Sequence, residues 1–285
     1  MAHISSSSIP VLTYYILTFT ISWGALLVAV GFGGLPRNPE QLTNMIPVLI
    51  VAMLGGPSVA SAVLTGVAGG KAAYLDLVSR LFKCRFAIRW YAAALLSAPL
   101  LLMAVPLALS FRFQEFIPRI FTDSNKGSLL QMGFAAGLSA GIFEELGWTG
   151  FVIPRLRLRF DALQTGAIVG FLWGAWHIPV NVLASVTPSG TLSVSNLLGA
   201  LIFSFGILPT YRILMVWVYD HTESLLIAML MHLSLTASNT IFGLTAAKGM
   251  TSPAFSLAVS IVLWIMIAAS ARASRRHRLV HSVQG

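Results

Sequence analysis

The chain has 285 residues, of which 56% are hydrophobic and only 9% are charged, and its mean hydropathy is +0.83. This composition excludes an ordinary soluble domain, in which about a quarter of the residues are charged. The net charge of +9 does not require nucleic acid, because membrane topology and anionic lipid headgroups account for the basic residues. We therefore predict a membrane protein that interacts with the lipid bilayer. We do not expect it to bind nucleic acid.

Eight apolar stretches are long enough to cross about 30 Å of hydrocarbon as helices. They lie near 10–32, 44–68, 90–110, 129–153, 162–184, 195–218, 223–243 and 252–271. The residues before the first stretch contain neither a basic region nor a cleavage site, so we interpret that stretch as a retained span. The pattern predicts an all-α polytopic bundle of about eight transmembrane helices, with residues 1–285 forming a single membrane domain.

Basic residues concentrate on one side of this eight-span arrangement, which carries 13 of the 18 Lys and Arg. They are Lys71, Arg80, Lys83, Arg85, Arg89, Arg155, Arg157, Arg159, Arg212, Arg272, Arg275, Arg276 and Arg278. The positive-inside rule makes this side cytoplasmic, so both termini are predicted to lie inside the cell. The stretch from Leu75 to Arg89 mixes hydrophobic and basic residues, which is typical of an amphipathic helix at the membrane interface. We expect a multi-pass integral protein, located in the cell membrane if the source is bacterial.

Two adjacent carboxylates, Glu144 and Glu145, lie in the fourth predicted span, in the run GLSAGIFEELGWTGFVIP. A charged side chain at the bilayer centre costs roughly 2.5–3.5 kcal/mol or more, so a membrane protein that keeps one there is expected to use it. Neighbouring residues of a helix point about 100° apart and do not share one task. We assign Glu144 to a functional site and Glu145 to a supporting contact.

Two histidines lie inside other apolar spans, His177 in the fifth and His232 in the seventh. The midpoint between Glu144 and His177 falls in the turn that joins spans four and five, so an antiparallel hairpin places the two side chains level. At 1.5 Å per residue, Glu144 lies about 16 Å and His232 about 18 Å from the cytoplasmic ends of their spans. The three groups are predicted to converge at one depth.

Glycines spaced four residues apart form a ridge on span four and another on span five. The two ridges consist of Gly133, Gly137 and Gly141, and of Gly166, Gly170 and Gly174. Small residues let helices approach closely in lipid, and a residue seven positions further on returns to nearly the same face. Glu144 and His177 each follow a ridge glycine by seven, so both are expected to point into packed protein.

A buried glutamate beside a histidine suits a general base that takes a proton from water, and a second histidine can stabilise an oxyanion. Thr236 and Asn239 share the face of His232 and are candidate second donors. One Glu and two His could also bind Zn²⁺, but no His-Glu-x-x-His spacing confirms such a site, so the residues alone leave the metal site unknown.

At these residues the chain resembles the intramembrane endopeptidases of the type II CAAX prenyl protease and bacteriocin-processing group. The resemblance is carried by EELGWT from Glu144, WGAWH ending at His177 and HLSLT from His232, each on its own predicted helix. It covers about 129–243, which we take as the catalytic core. The resemblance implies a metal-free mechanism in which Glu144 and His177 activate water and His232 stabilises the oxyanion. On this ground we favour a site without a cofactor over one that holds Zn²⁺.

Each motif departs from the family pattern at one position. Thr149 stands where the family has arginine, Trp173 where it has phenylalanine, and Thr236 where it has asparagine. Arg155 or Arg212 could replace the missing arginine as charge partner of Glu145. The predicted function is an endopeptidase that acts on a peptide or membrane-protein substrate; the alternatives are a transporter or binding protein that uses the same groups, and an inactive family member acting as a scaffold.

Overall fold

The computed structural model describes residues 9–31, 39–187, 189–244 and 250–283. Residues 1–8, which precede the first predicted span, lie outside these ranges. The described elements are, in chain order, α1 (Ile9–Val30), α2 (Pro39–Leu81), α3 (Ile88–Ser110), a 3₁₀ turn (Gln114–Phe116), α4 (Arg119–Thr122), α5 (Lys126–Gly147), a π-helical turn (Trp148–Val152), α6 (Ile153–Leu156), α7 (Ala162–Trp176), α8 (Ile178–Ala184), α9 (Val194–Ile202), a second π-helical turn (Phe203–Ile207), α10 (Leu208–Thr222), α11 (Leu225–Phe242) and α12 (Thr251–Val283). The predicted all-α polytopic bundle is confirmed.

Within the described ranges, six helices are long and apolar enough to cross a membrane, and a seventh span is added if the bent pair α7–α8 is counted as one. The six run from Pro10–Val30, Asn44–Leu81, Ile88–Ser110, Val194–Thr222, Leu225–Phe242 and Thr251–Ala269. Helix α5 is not among them, because its two glutamates and its many small residues lower its hydropathy. The predicted count of eight is therefore not confirmed.

The predicted interfacial helix between Leu75 and Arg89 is divided in the structure. Helix α2 bends at Gly70, whose φ of 54° favours glycine, and then continues to Leu81. Residues 82–87 are not helical, and α3 begins at Ile88. The segment is also tied to the bundle, since Arg80 donates to the Gly150 carbonyl and the Tyr219 hydroxyl, each at 3.0 Å. A single continuous helix over this stretch was a wrong prediction.

The glycine ridge of α5 packs against the backbone of α11. A Cβ atom added to Gly137 would lie 2.5 Å from the Leu233 carbonyl oxygen, and one added to Gly141 would lie 2.7 Å from the Met229 carbonyl oxygen. Both distances are shorter than any carbon–oxygen contact allows, so only glycine permits this approach. The expectation that this face of α5 lies in packed protein is met.

The ridge of α7 packs against α10 and the π-helical turn before it, and not against α5. A Cβ on Gly170 would lie 2.3 Å from Pro209 Cα, and one on Gly174 would lie 2.2 Å from the Ser204 carbonyl oxygen. The two ridges therefore serve two different helix pairs, α5 with α11 and α7 with α10. Glu144 and His177 do not meet across a close-packed hairpin, because a small-residue ridge predicts close approach without specifying the partner.

Side chains cap the helices that carry the candidate site. Asn125 accepts a hydrogen bond from the Ser128 amide at the start of α5, and Ser224 accepts from the Ile227 amide at the start of α11. Asp161 and Gln164 form a reciprocal capping box at the start of α7. These caps satisfy backbone donors that a helix end otherwise leaves unpaired, so they fix where each of the three helices begins.

Candidate active site

Glu144 lies in the last turn of α5, four residues before the start of the π-helical turn, a local irregularity that is frequent at functional sites. Its Oε2 accepts hydrogen bonds from the indole nitrogens of Trp173 at 2.8 Å and Trp148 at 3.3 Å. The side chain is 4% exposed. Two fixed indole donors therefore hold one oxygen of a nearly buried carboxylate in place.

Glu145 faces away from Glu144 and is fully buried. Its Oε2 accepts from Arg212 Nη1 at 2.8 Å and from the Thr149 hydroxyl. Its Oε1 lies 2.6 Å from His232 Nδ1. Both carboxylate oxygens are thus engaged with protein groups, and Glu145 does not line the cavity described below.

His232 lies between the two glutamates and is 1% exposed. Because Nδ1 faces a carboxylate oxygen of Glu145, that nitrogen carries a proton and donates. The other ring nitrogen, Nε2, lies 3.8 Å from Glu144 Oε2. The ring packs edge-on against Trp173, with the ring centroids 4.8 Å apart. The contact with Glu145 therefore fixes both the tautomer and the direction of Nε2.

His177 lies at the end of α7, where the chain bends by 43° into α8. Pro179 follows in the first turn of α8, a position at which proline is tolerated because its missing N–H has no helical partner. His177 Nδ1 lies 2.9 Å from the Trp173 carbonyl oxygen, so it donates there. The neutral ring then keeps Nε2 as an acceptor.

A cavity of about 420 Å³ brings the predicted groups together. Glu144 from α5, His177 from the α7–α8 bend and His232 from α11 all line it, as do Thr236 and Asn239. Asn181 lines it as well and donates to Ser204 Oγ at 2.9 Å. The side chains are therefore neither splayed toward separate neighbours nor sealed away from space that water can occupy. The catalytic roles assigned to these residues remain predictions.

A second cavity, of about 510 Å³, reaches the same groups from another side. It lies between α2, α5 and α8, and Glu144, His177 and Thr236 line it too. Its remaining lining is almost wholly apolar and consists of Leu49, Ile50, Met53, Leu54, Met132, Ala135, Ala136, Ser139, Ala140, Trp176 and Val180. The candidate site therefore stands where a polar space and an apolar space meet.

Arg212 is the charge partner of Glu145, and Arg155 is not. Arg212 is fully buried in α10, whereas Arg155 donates to the Phe151 carbonyl and its guanidinium lies 3.5 Å from the Phe151 ring centroid. Arg212 was counted among the 13 basic residues on the predicted cytoplasmic side. That assignment was wrong, because a guanidinium that is paired inside the bundle carries no information about membrane orientation.

Trp148 and Trp173 were not predicted to be donors to Glu144. The sequence contains a signal for these hydrogen bonds, because a buried indole N–H needs an acceptor and an apolar span offers few acceptors. The glutamates provide the carboxylate oxygens that the two tryptophans reach. Metal dependence stays a prediction: in the part of the chain that the structure describes, no group of three or more His, Cys, Asp and Glu is arranged to hold a metal ion.

The segment that carries these residues matches a known protein family. Residues 126–238, which contain all three motifs, match the family described as type II CAAX prenyl endopeptidase, Rce1-like. The resemblance to type II CAAX prenyl endopeptidases is confirmed. The chain is also 23% identical over 270 residues to the CAAX prenyl protease 2 of Methanococcus maripaludis, an alignment that covers 88% of this chain and 92% of that protein. The likeness to the type II CAAX prenyl endopeptidases therefore extends beyond the motif-bearing helices.

Proposed function

We propose that this protein is an intramembrane endopeptidase that hydrolyses a peptide bond in a lipidated, membrane-associated substrate of the CAAX prenyl protease type. One observation carries the proposal: Glu144, His177 and His232, which come from three helices, line one cavity within the segment that matches the protease family. Amide hydrolysis needs a general base, a group that orients water and a donor that stabilises the oxyanion. The Glu144 carboxylate and the two imidazoles can fill these roles around a cavity that water can enter.

The first step is the attack of water on the scissile carbonyl. Glu144 accepts a proton from a water molecule in the cavity, and His177 Nε2 accepts that water's second O–H and aims its oxygen. The new C–O bond forms as the carbonyl π electrons move to oxygen. Hydrogen bonds from the indoles of Trp148 and Trp173 hold Glu144 Oε2 in the resting protein.

The oxyanion of the tetrahedral intermediate is stabilised by His232. Its Nδ1–H is already committed to Glu145, so Nε2 donates only when the ring is an imidazolium. The mechanism therefore requires His232 to carry both ring protons before water attacks, when Nε2 lies 3.8 Å from Glu144 Oε2. Once Glu144 has taken the proton from water, the Nε2–H donates to the oxyanion. The C–N bond breaks as the proton on Glu144 passes to the leaving amine, which restores the carboxylate.

The substrate's lipid chain is assigned to the apolar cavity between α2 and α5. Its lining of leucine, methionine and alanine suits an alkyl or isoprenoid chain, and it shares Glu144 and His177 with the cavity that holds the reacting groups. A lipid in one cavity and a polypeptide in the other would place the connecting peptide bonds at the catalytic groups.

The proposal is tested by the change Glu144→Gln, which keeps the size of the side chain and removes its basicity. We expect cleavage of a farnesylated fluorogenic peptide by protein purified in nanodiscs to fall by roughly 1,000-fold or more. The same peptide without the lipid should be a poorer substrate of the unchanged protein.

Leu138→Met is the matched control, because Leu138 is exposed on the same helix and lies in neither cavity. Its cleavage rate and thermal unfolding should match those of the unchanged protein. Undiminished cleavage by folded Glu144→Gln protein would remove Glu144 from the mechanism.

A further inference from the structure

Arg212 is a buried charge that the mechanism above does not use. It is fully buried in a membrane-spanning helix, and its Nε and Nη2 have no hydrogen-bond partner among the described residues. An arginine at such a position is costly unless it is paired, so its retention calls for a specific role. Its one ion pair is with Glu145.

The contacts of Glu145 connect Arg212 to the catalytic cavity. Arg212 Nη1 lies 2.8 Å from Glu145 Oε2, and the other oxygen of that carboxylate lies 2.6 Å from His232 Nδ1. The opposite nitrogen of His232 then lies 3.8 Å from Glu144 Oε2. The four side chains form one chain of contacts in which Glu145 has one oxygen for Arg212 and one for His232.

Charge balance explains why the contacts between Glu145 and His232 depend on Arg212. With Arg212 present, the negative charge of Glu145 is compensated without using His232, so the charge of the His232 imidazolium remains available to the oxyanion. Without Arg212, a buried carboxylate would have no cation nearby except His232 itself. The imidazolium would then be held by Glu145 alone, and its Nε2 would turn from the cavity or stabilise the oxyanion less.

We infer that Arg212 is a positioning residue of the proposed hydrolysis, acting through Glu145 to orient His232 toward the cavity. Thr149 makes this possible, because its hydroxyl donates to the same Glu145 oxygen and its small side chain leaves room for a guanidinium that arrives from α10. The cation that supports Glu145 thus comes from a different helix from the one that carries the two glutamates. The inference rests on the proposed function.

The test compares Arg212→Met with Arg155→Met in the nanodisc assay with the farnesylated peptide. We expect Arg212→Met to lower kcat by on the order of 100-fold, with KM changed less than about threefold, because the substrate-lining groups are untouched. Arg155→Met is the matched control, since Arg155 donates to the Phe151 carbonyl and lies over the Phe151 ring instead of pairing with Glu145, and its kcat should be unchanged. The double variant Thr149→Arg/Arg212→Met returns a guanidinium to Glu145 from the next turn of the same helix and should regain at least about tenfold in kcat.

The inference is overturned if folded Arg212→Met protein keeps kcat within about threefold of the unchanged protein, or if KM rises instead of kcat falling. If Arg212→Met does not fold, the relocated double variant decides: substantial kcat in that protein supports the inference, and a folded but inactive protein overturns it.

A readout that needs no catalysis separates this inference from the proposed function. The short contact between His232 Nδ1 and Glu145 Oε1 should give a strongly downfield imidazole proton resonance in nanodiscs, assigned by its absence from His232→Asn protein. Arg212→Met should shift or abolish it. If the unchanged protein cleaves no peptide, the proposed function fails. Independently of that result, an unshifted resonance in Arg212→Met would overturn the positioning role of Arg212.

Discussion

At the scale of single residues, Trp173 connects the groups of the candidate site. Its indole N–H donates to Glu144, its carbonyl accepts from His177, and its ring packs against His232. The guanidinium of Arg212 lies over the same ring, 4.3 Å from its centroid. A phenylalanine at position 173, as in the family pattern, would keep the ring contacts but would lose the hydrogen bond to Glu144.

Trp173→Phe is therefore expected to separate stability from catalysis. Loss of a hydrogen bond to a charged group should lower the free energy of unfolding by about 1.5–3 kcal/mol. The value of kcat should stay within about fivefold, because the ring that packs beside His177 and His232 remains. Thermal unfolding in detergent and the peptide cleavage assay measure the two effects. Trp264→Phe, on the lipid-exposed part of α12, is the control for both measurements.

A fall in kcat of more than about 100-fold in folded Trp173→Phe protein would contradict this division. It would mean that the indole N–H takes part in placing the base during the reaction, and not only in the resting structure.

The convergence of Glu144, His177 and His232 was predictable because it depends on quantities that a sequence contains. Rise per residue gives the depth of each group, and the glycine ridges give the faces on which Glu144 and His177 lie. The contacts of Arg212 and Trp173 were not predictable in the same way. They depend on which helices are neighbours and on how each is rotated, and one sequence does not specify these quantities.

At the scale of helices, the sequence predicts which faces are closely packed but not which helices pack together. The sequence predicts that the ridge faces of α5 and α7 are tightly packed, and the structure agrees. It does not predict that α5 packs on α11 and α7 on α10, because either helix surface could accept either ridge. Two motif-bearing helices are thereby held by two separate partners, and the cavity lies where these pairs adjoin.

Gly170→Ala tests whether this close approach stabilises the protein. The new Cβ would lie 2.3 Å from Pro209 Cα, so α7 and α10 must separate, at an expected cost of roughly 1–3 kcal/mol. Gly24→Ala is the control, because a Cβ there meets nothing within 4 Å, and it should leave the unfolding temperature unchanged or raise it slightly. Equal unfolding temperatures for the two variants would show that the ridge is not a tight contact in the membrane.

At the scale of the whole molecule, the fold class followed from composition and the number of spans did not. A helix that must present two carboxylates and a glycine ridge to its neighbours is less apolar than one that faces lipid, so α5 falls below the hydropathy of the other spans. The orientation with both termini inside the cell stays a prediction, and the catalytic core at 129–243 and the single domain remain predictions too.

The single cysteine of the chain tests that orientation without any added label. Cys84 is exposed and lies in the predicted cytoplasmic loop between α2 and α3. A membrane-impermeant maleimide should label it in inside-out vesicles and not in right-side-out vesicles. Cys84→Ser/Leu192→Cys moves the thiol to the loop after α8 and should reverse the result. Labelling of Cys84 from the outside would invert the topology.

The most direct measurement of the central claim is the single-turnover cleavage rate of Glu144→Gln, of His177→Gln and of the two combined, in nanodiscs with the farnesylated peptide. Two groups that act on one water molecule are strongly non-additive, so we predict that each single change removes most of the activity and that the double variant is slowed less than about tenfold further. Rate losses that multiply in the double variant, or activity that persists in either single variant, would contradict a shared water at Glu144 and His177.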